Sequence, residues 1–115
     1  MTNKDRDILL HIIKHCNRIR EDVEMFGDTF EDFETINAFR DSVCMNILQI
    51  GELAGKLSDD FIKDTNSIPW GKIKGMRNRF AHDYGNADDE IIWNAVTVDI
   101  PALKGFCEKC VDENK

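Results

Sequence analysis

The chain has 115 residues, enough for one domain spanning 1–115 with its own core. Its two prolines and seven glycines argue against a loop-rich or all-β design. A net charge of −7 works against diffuse binding to nucleic acid, so any such contact must be focused on a basic segment, or on that segment doubled in an oligomer. No run approaches the roughly 18 consecutive apolar residues of a membrane helix, and residues 1–7 are charged without an apolar signal core, which together predict a cytoplasmic protein with no membrane association.

Ile8, Leu9, Ile12, Ile13, Cys16, Ile19, Val23 and Phe26 recur at three- and four-residue spacing, the period of one helix face. They predict a long first helix from about residue 5 to 26. Asp5 and Asp7 suit the dipole of its first turn, and Gly27 is the stop signal. A polar linker from 27 to 34 follows, with Phe30 and Phe33 expected to be pinned to the core. Thr29-x-x-Asp32 is a capping-box pattern for a short turn, and Thr35 is expected to cap the next helix.

The second helix is the most apolar. Ile36, Phe39, Val43, Ile47, Ile50, Ala54 and Leu57 form its stripe, widened by Cys44, Met45 and Leu48. An apolar surface that broad belongs to a helix central in a bundle or buried against a partner. Asn46, Gln49 and Glu52 interrupt it. They are read either as solvent-facing or locally satisfied groups or, for Asn46 and Glu52, as groups aimed at the basic segment further on. Ser58-Asp59-Asp60 reads as the cap of a short helix through Phe61 and Ile62. Pro69 opens a third helix running to Ala81 or Asp83, with Trp70, Ile73, Met76 or Arg77, and Phe80 inward and Gly85-Asn86 closing it. Asp88 caps a fourth, kinked near Pro101, that continues through Leu103, Phe106, Cys107, Cys110 and Val111. No strand-like alternation persists. Short connections between four main helices predict an all-α, antiparallel up-and-down four-helix bundle with a short additional helix.

Cys107-x-x-Cys110 has zinc-ligand spacing, but no second pair of comparable spacing accompanies it, and on a helix that spacing only means a shared face. His11 and His15 also share a face, with no nearby group that completes a site. The expectation is free thiols, no metal and no cofactor.

Residues able to do chemistry crowd into Arg77, Asn78, Arg79, His82 and Tyr84. Between residues 65 and 82 lie Lys72, Lys74, Arg77 and Arg79 and no acidic residue, although the whole chain is acidic. Guanidinium groups match phosphate oxygens, and histidine titrates near neutrality. Asn78 and His82 stack four apart, whereas Arg77 and His82 lie about 140° apart around a straight helix. The arginine's long arm, an unwound helix end, or a second copy of the segment would close that gap. Such groups allow RNA cleavage without metal. A base takes the ribose 2′-hydroxyl proton, the oxygen attacks phosphorus, an acid protonates the leaving oxygen, and a guanidinium stabilises the phosphoryl charge. The competing reading is a helix C-terminus whose basic groups cap carbonyls and answer the dipole.

Arg77-Asn78-Arg79-Phe80-Ala81-His82-Asp83-Tyr84 resembles the Arg-x4-His-x-Tyr signature of the HepT-like branch of the HEPN superfamily. Asn46-Ile-Leu-Gln-Ile-Gly51-Glu52 resembles that branch's second-helix pattern, Ile68-Pro69-Trp70 and Gly75-Met76 its lead-in, and Trp93, Asp99 and Pro101 its last helix. The resemblance implies an all-α homodimer with motif helices meeting in a composite cleft. It implies a metal-independent endoribonuclease toxin of a toxin–antitoxin pair, with a minimal nucleotidyltransferase as antitoxin partner that transfers AMP to the motif tyrosine. On this chain Arg77 and His82 become catalytic, Tyr84 the modified residue, and Asn78, Asn46 and Glu52 supporting residues. Met45 stands where a basic residue is frequent, and Asp83 where glycine is frequent. Asp83 bears on the histidine's proton affinity and on repulsion of RNA. The alternative is therefore a weakly catalytic module that docks with the nucleotidyltransferase and is modified by it, or, third, a purely structural helical dimer.

Overall fold

A computed structural model describes residues 1–83 and 88–113, and of His82 and Asp83 it describes the helical backbone alone. The described residues are all helical or connecting, with no strand. The helices are α1 (Asn3–Phe26), α2 (Phe30–Thr35), α3 (Asn37–Ala54), α4 (Asp59–Asp64), α5 (Trp70–Asp83), α6 (Asp89–Asn94) and α7 (Ile100–Glu113), with a π-helical turn, Ala95–Asp99, joining the last two. No helix among them is long and apolar enough to cross a membrane.

The α1 helix starts two residues before the expected boundary because Thr2 and Asp5 cap it reciprocally: Asp5 N–H donates to Thr2 Oγ1 at 2.9 Å, and Thr2 N–H to Asp5 Oδ2 at 3.3 Å. Asp5 is 1% exposed. It also accepts from Ser58 N–H at 2.8 Å and Ser58 Oγ at 2.7 Å, so one carboxylate ties the start of α1 to the start of α4. Burial pushes its pKa up, but these hydrogen bonds outweigh that and hold it below the ordinary value. Gly27 ends α1 at φ +132°, a conformation that favours glycine, and a Cβ there would lie 2.0 Å from Asp32 Oδ2.

Thr29, Ser58 and Asp88 cap α2, α4 and α6 as expected, each accepting from a backbone N–H in the first turn. Thr35 does not cap α3. Its hydroxyl donates back to Glu31 O at 2.7 Å inside α2, and Ile36 is the unassisted cap residue. Phe30 is likewise not pinned. Phe33 is fully buried, whereas Phe30, at the first position of a short helix, is only partly covered. Phe33 meets Phe39 edge-on and Trp93 at a tilt, both with centroids 5.4 Å apart, and Phe39 stacks on Phe26. This aromatic cluster joins the end of α1, α2, α3 and α6.

The α3 stripe is buried as expected from Phe39 through Leu57, with α1 and α5 packed against it and α7 against α1. Met45, expected to widen the stripe, instead stands 57% exposed. The kink expected near Pro101 takes the form of the π-helical turn just before it. Proline has no N–H for the carbonyl of Thr97, and Ile100 N–H bonds to Ala95 O, five residues back.

Candidate functional site

Three anchors set the position of α5. At its start, Trp70 is buried against Phe61 and Phe106, and its Nε1 donates to Thr65 Oγ1 at 3.0 Å. Lys72 Nζ bonds Asp99 on the π-helical turn at 2.7 Å. In the middle, α5 lies directly on Gly51 of α3, where an added Cβ would come within 2.3 Å of Arg77 Cβ and 3.3 Å of Ile73 O. Glycine inside a helix costs about 1 kcal/mol relative to alanine. At Gly51 that cost is the condition for the two helices to meet.

The close approach delivers Arg77 to Glu52. Arg77 Nε donates to Glu52 Oε1 in an ion pair, and Arg77 Nη1 donates to Asn78 Oδ1 at 2.8 Å. Both side chains of the ion pair are more than a third exposed. A guanidinium has five N–H donors. Glu52 and Asn78 occupy two, which orients the fork while leaving donors for an anion. Gly51, Glu52, Gly55, Lys56, Lys74, Arg77 and Asn78 line an open pocket of about 260 Å³ at this point.

Of the residues singled out in the sequence, Arg77, Asn78 and Glu52 are therefore together. Glu52 follows the reading that aims it at the basic segment. Asn46 is neither aimed at that segment nor left to solvent. It is buried, accepts from His15 Nδ1 at 2.8 Å and donates from Nδ2 to Ser42 O at 2.9 Å, lining a different pocket of about 460 Å³ with Arg18, Glu21 and Asp22. The bond to Ser42 O fixes which end of the amide faces His15, so Nδ1 carries the hydrogen in that bond. Asn46 and Glu52 are six residues apart, about 120° around α3, which is why one helix sends them to different pockets. His82 lies on α5, one helical turn past Asn78, and its side chain falls outside the described residues, as does that of Asp83. Tyr84 and the expected helix stop at Gly85-Asn86 also lie outside them. Because α5 runs through Asp83, unwinding before His82 does not close the 140° offset from Arg77.

Cys16 and Cys107 are buried, and burial pushes the Cys16 thiol up to about 12 and raises Cys107 as well, so neither offers a thiolate near neutrality. Among the described residues no group of three or more His, Cys, Asp or Glu could hold a metal ion. Gly51 and Lys56 join the site without having been assigned to it from sequence, and Lys74 joins it from the basic segment. An unexplained glycine inside a helix was the available signal for the first.

Residues 6–110 match the family described as "Ribonuclease HepT-like". The chain is 29% identical over 110 residues to "Putative RNase TTE0752" of Caldanaerobacter subterraneus subsp. tengcongensis, covering 96% of both chains. It is 32% identical over 98 residues to "Probable ribonuclease HepT" of Thermococcus cleftensis, covering 77% of this chain and 89% of that one. No solved structure matches. With the match extending from α1 to α7 and including both the Glu52 and the Arg77 sides of the pocket, the chain belongs to the HepT-like ribonuclease family.

Proposed function

We propose that the chain, a single domain over 1–115, is a metal-independent endoribonuclease. One observation carries the reading: Arg77 is oriented by Glu52 and Asn78 beside an open pocket, on the helix that also bears His82. Arg77 stabilises the charge on the phosphoryl oxygens of the reacting phosphate. His82 moves the proton between the ribose 2′-hydroxyl, the leaving oxygen and solvent. The 140° offset between the two favours a homodimer of up-and-down four-helix bundles, in which Arg77 of one protomer works with His82 of its partner and the two histidines share the acid and base roles.

In this reading the enzyme is the toxin of a toxin–antitoxin pair, and the antitoxin is a nucleotidyltransferase. AMP transfer to Tyr84, two residues from His82, places a bulky anion where the substrate phosphate binds and engages Arg77. This part rests on the family resemblance of the motif.

The test is cleavage of total and transfer RNA in EDTA by the unmodified protein, its mass verified, beside Arg77→Ala and His82→Ala. Wild-type cleavage should persist in EDTA and fall by about a hundredfold or more in each variant. Cleavage equal in all three proteins overturns the reading. No cleavage by the unmodified wild type leaves the module that docks with a nucleotidyltransferase as the function.

A further inference from the structure

Among the described residues the pocket beside Arg77 holds three cations, Lys56, Lys74 and Arg77, against one carboxylate, Glu52, in a chain of net charge −7. Two other pockets do not share that balance. Around His15 one cation, Arg18, meets Glu21 and Asp22. In the apolar pocket of about 420 Å³ between α1 and α7, Arg20 and Lys104 are matched by Asp28 and Glu108. The one carboxylate beside Arg77 is already engaged by the guanidinium.

Among the described residues Lys56 and Lys74 have no such partner. Elsewhere Arg40 pairs with Asp89, Arg20 with Glu24 and Lys72 with Asp99, whereas neither Lys56 nor Lys74 forms an ion pair or side-chain hydrogen bond among the described residues. Lys74 is only partly exposed and is paired with no anion among the described residues. It sits three residues before Arg77 and four before Asn78, one face of α5. Lys56 reaches the same pocket from the turn after α3, where its N–H is held by Leu53 O at 3.0 Å. Gly51 and Gly55 line the pocket between them without side chains, leaving room for a polymer backbone.

We propose that Lys56 and Lys74 form a subsite for an RNA backbone phosphate adjacent to the one held by Arg77. The inference rests on the ribonuclease reading for its substrate. It adds a place that holds the strand in register with the reacting bond without taking part in the chemistry. Phosphate contacts do not read the 2′-hydroxyl. The subsite therefore grips single-stranded DNA as it grips RNA, although DNA lacks the nucleophile for the cleavage.

That difference gives the experiment. Binding of a fluorescent single-stranded DNA of about a dozen nucleotides is measured against salt for wild type, Lys56→Gln, Lys74→Gln and Lys74→Arg, and RNA cleavage is measured in parallel. Each glutamine variant should lower the slope of log K against log salt by about 0.7, and Lys74→Arg should keep the wild-type slope. KM for RNA should rise roughly threefold in each glutamine variant and about tenfold when Lys56→Gln and Lys74→Gln are combined, with a smaller change in kcat. Slopes and KM equal to wild type overturn the subsite even where RNA is cleaved. Equal losses in Lys74→Gln and Lys74→Arg overturn it too, because they point to packing. A lysine-dependent DNA slope in a protein that cleaves no RNA supports the anion site and removes the nuclease reading instead.

Discussion

Asp5 and Glu52 are both carboxylates that hold one helix against another, and they are built oppositely. Asp5 is sealed from solvent and satisfied by neutral donors, the N–H of Thr2 and the N–H and hydroxyl of Ser58. Glu52 is 41% exposed and faces a full positive charge. Replacing water around a carboxylate by fixed backbone dipoles stabilises one geometry strongly and tolerates no loss of a partner. An exposed ion pair contributes little to folding, because solvent screens it and both side chains lose freedom. What it can do is set the direction of a guanidinium that stays accessible. The first arrangement is a joint in the fold and the second an aiming device.

The largest effect expected from this contrast is on stability. Asp5→Ala leaves the N–H and hydroxyl of Ser58 without their acceptor and should cost roughly 3 kcal/mol. Denaturant unfolding at neutral pH measures it, and a loss below about 1 kcal/mol would contradict the joint. The pH dependence follows from the sign of the shift. Asp5 has a folded pKa below its ordinary 3.8, so its contribution is complete above that value and lost as the pH falls through the lower folded value. Asp22 has the opposite sign, because burial raises its pKa more than the Ser42 hydroxyl lowers it, so its protonation favours the folded state. The stability difference between wild type and Asp5→Ala isolates the Asp5 part and should shrink as the pH falls below 3.8.

Gly51→Ala comes next. Its new methyl meets Arg77 Cβ and the α5 backbone, neither of which is the free end of a flexible chain. The helices must separate, at about 2 kcal/mol, and Arg77 must move with α5. Thermal unfolding and RNA cleavage should both fall. A variant as stable as wild type would show that α5 is not seated on α3 in this way.

The helices were legible because burial imposes a period on them. The α1 and α3 stripes, the caps at Thr29, Ser58 and Asp88 and the stop at Gly27 all follow from local chemistry. Contacts between distant residues were not. Thr2-x-x-Asp5 has the same form as Thr29-x-x-Asp32, so the cap of α1 was readable, but nothing local announces Ser58, 53 residues further on, as the second partner of Asp5. For the same reason periodicity could not separate Asn46 from Glu52. Both are polar residues in an apolar helix, and only the position of α1 and α5 around α3 assigns one to His15 and the other to Arg77. The π-helical turn was visible only through its cause, Pro101.

The smallest expected effect, on Glu52, tests the comparison most directly. Glu52→Gln keeps the side chain's size and a carbonyl oxygen able to accept from Arg77 Nε, but removes the charge. Folding stability should change by less than about 0.5 kcal/mol, since the pair is exposed. Cleavage should fall about tenfold, equivalent to about 1.4 kcal/mol in the barrier, because the guanidinium samples more directions and fewer of them meet the reacting phosphate. Unfolding curves and single-turnover cleavage at neutral pH, measured on the same preparation, separate the two quantities. Loss of stability without loss of rate would make Glu52 a second joint like Asp5. A faster variant would mean that the carboxylate restrains Arg77 and competes with the substrate phosphate, so that Glu52 acts as a brake on the site it orients.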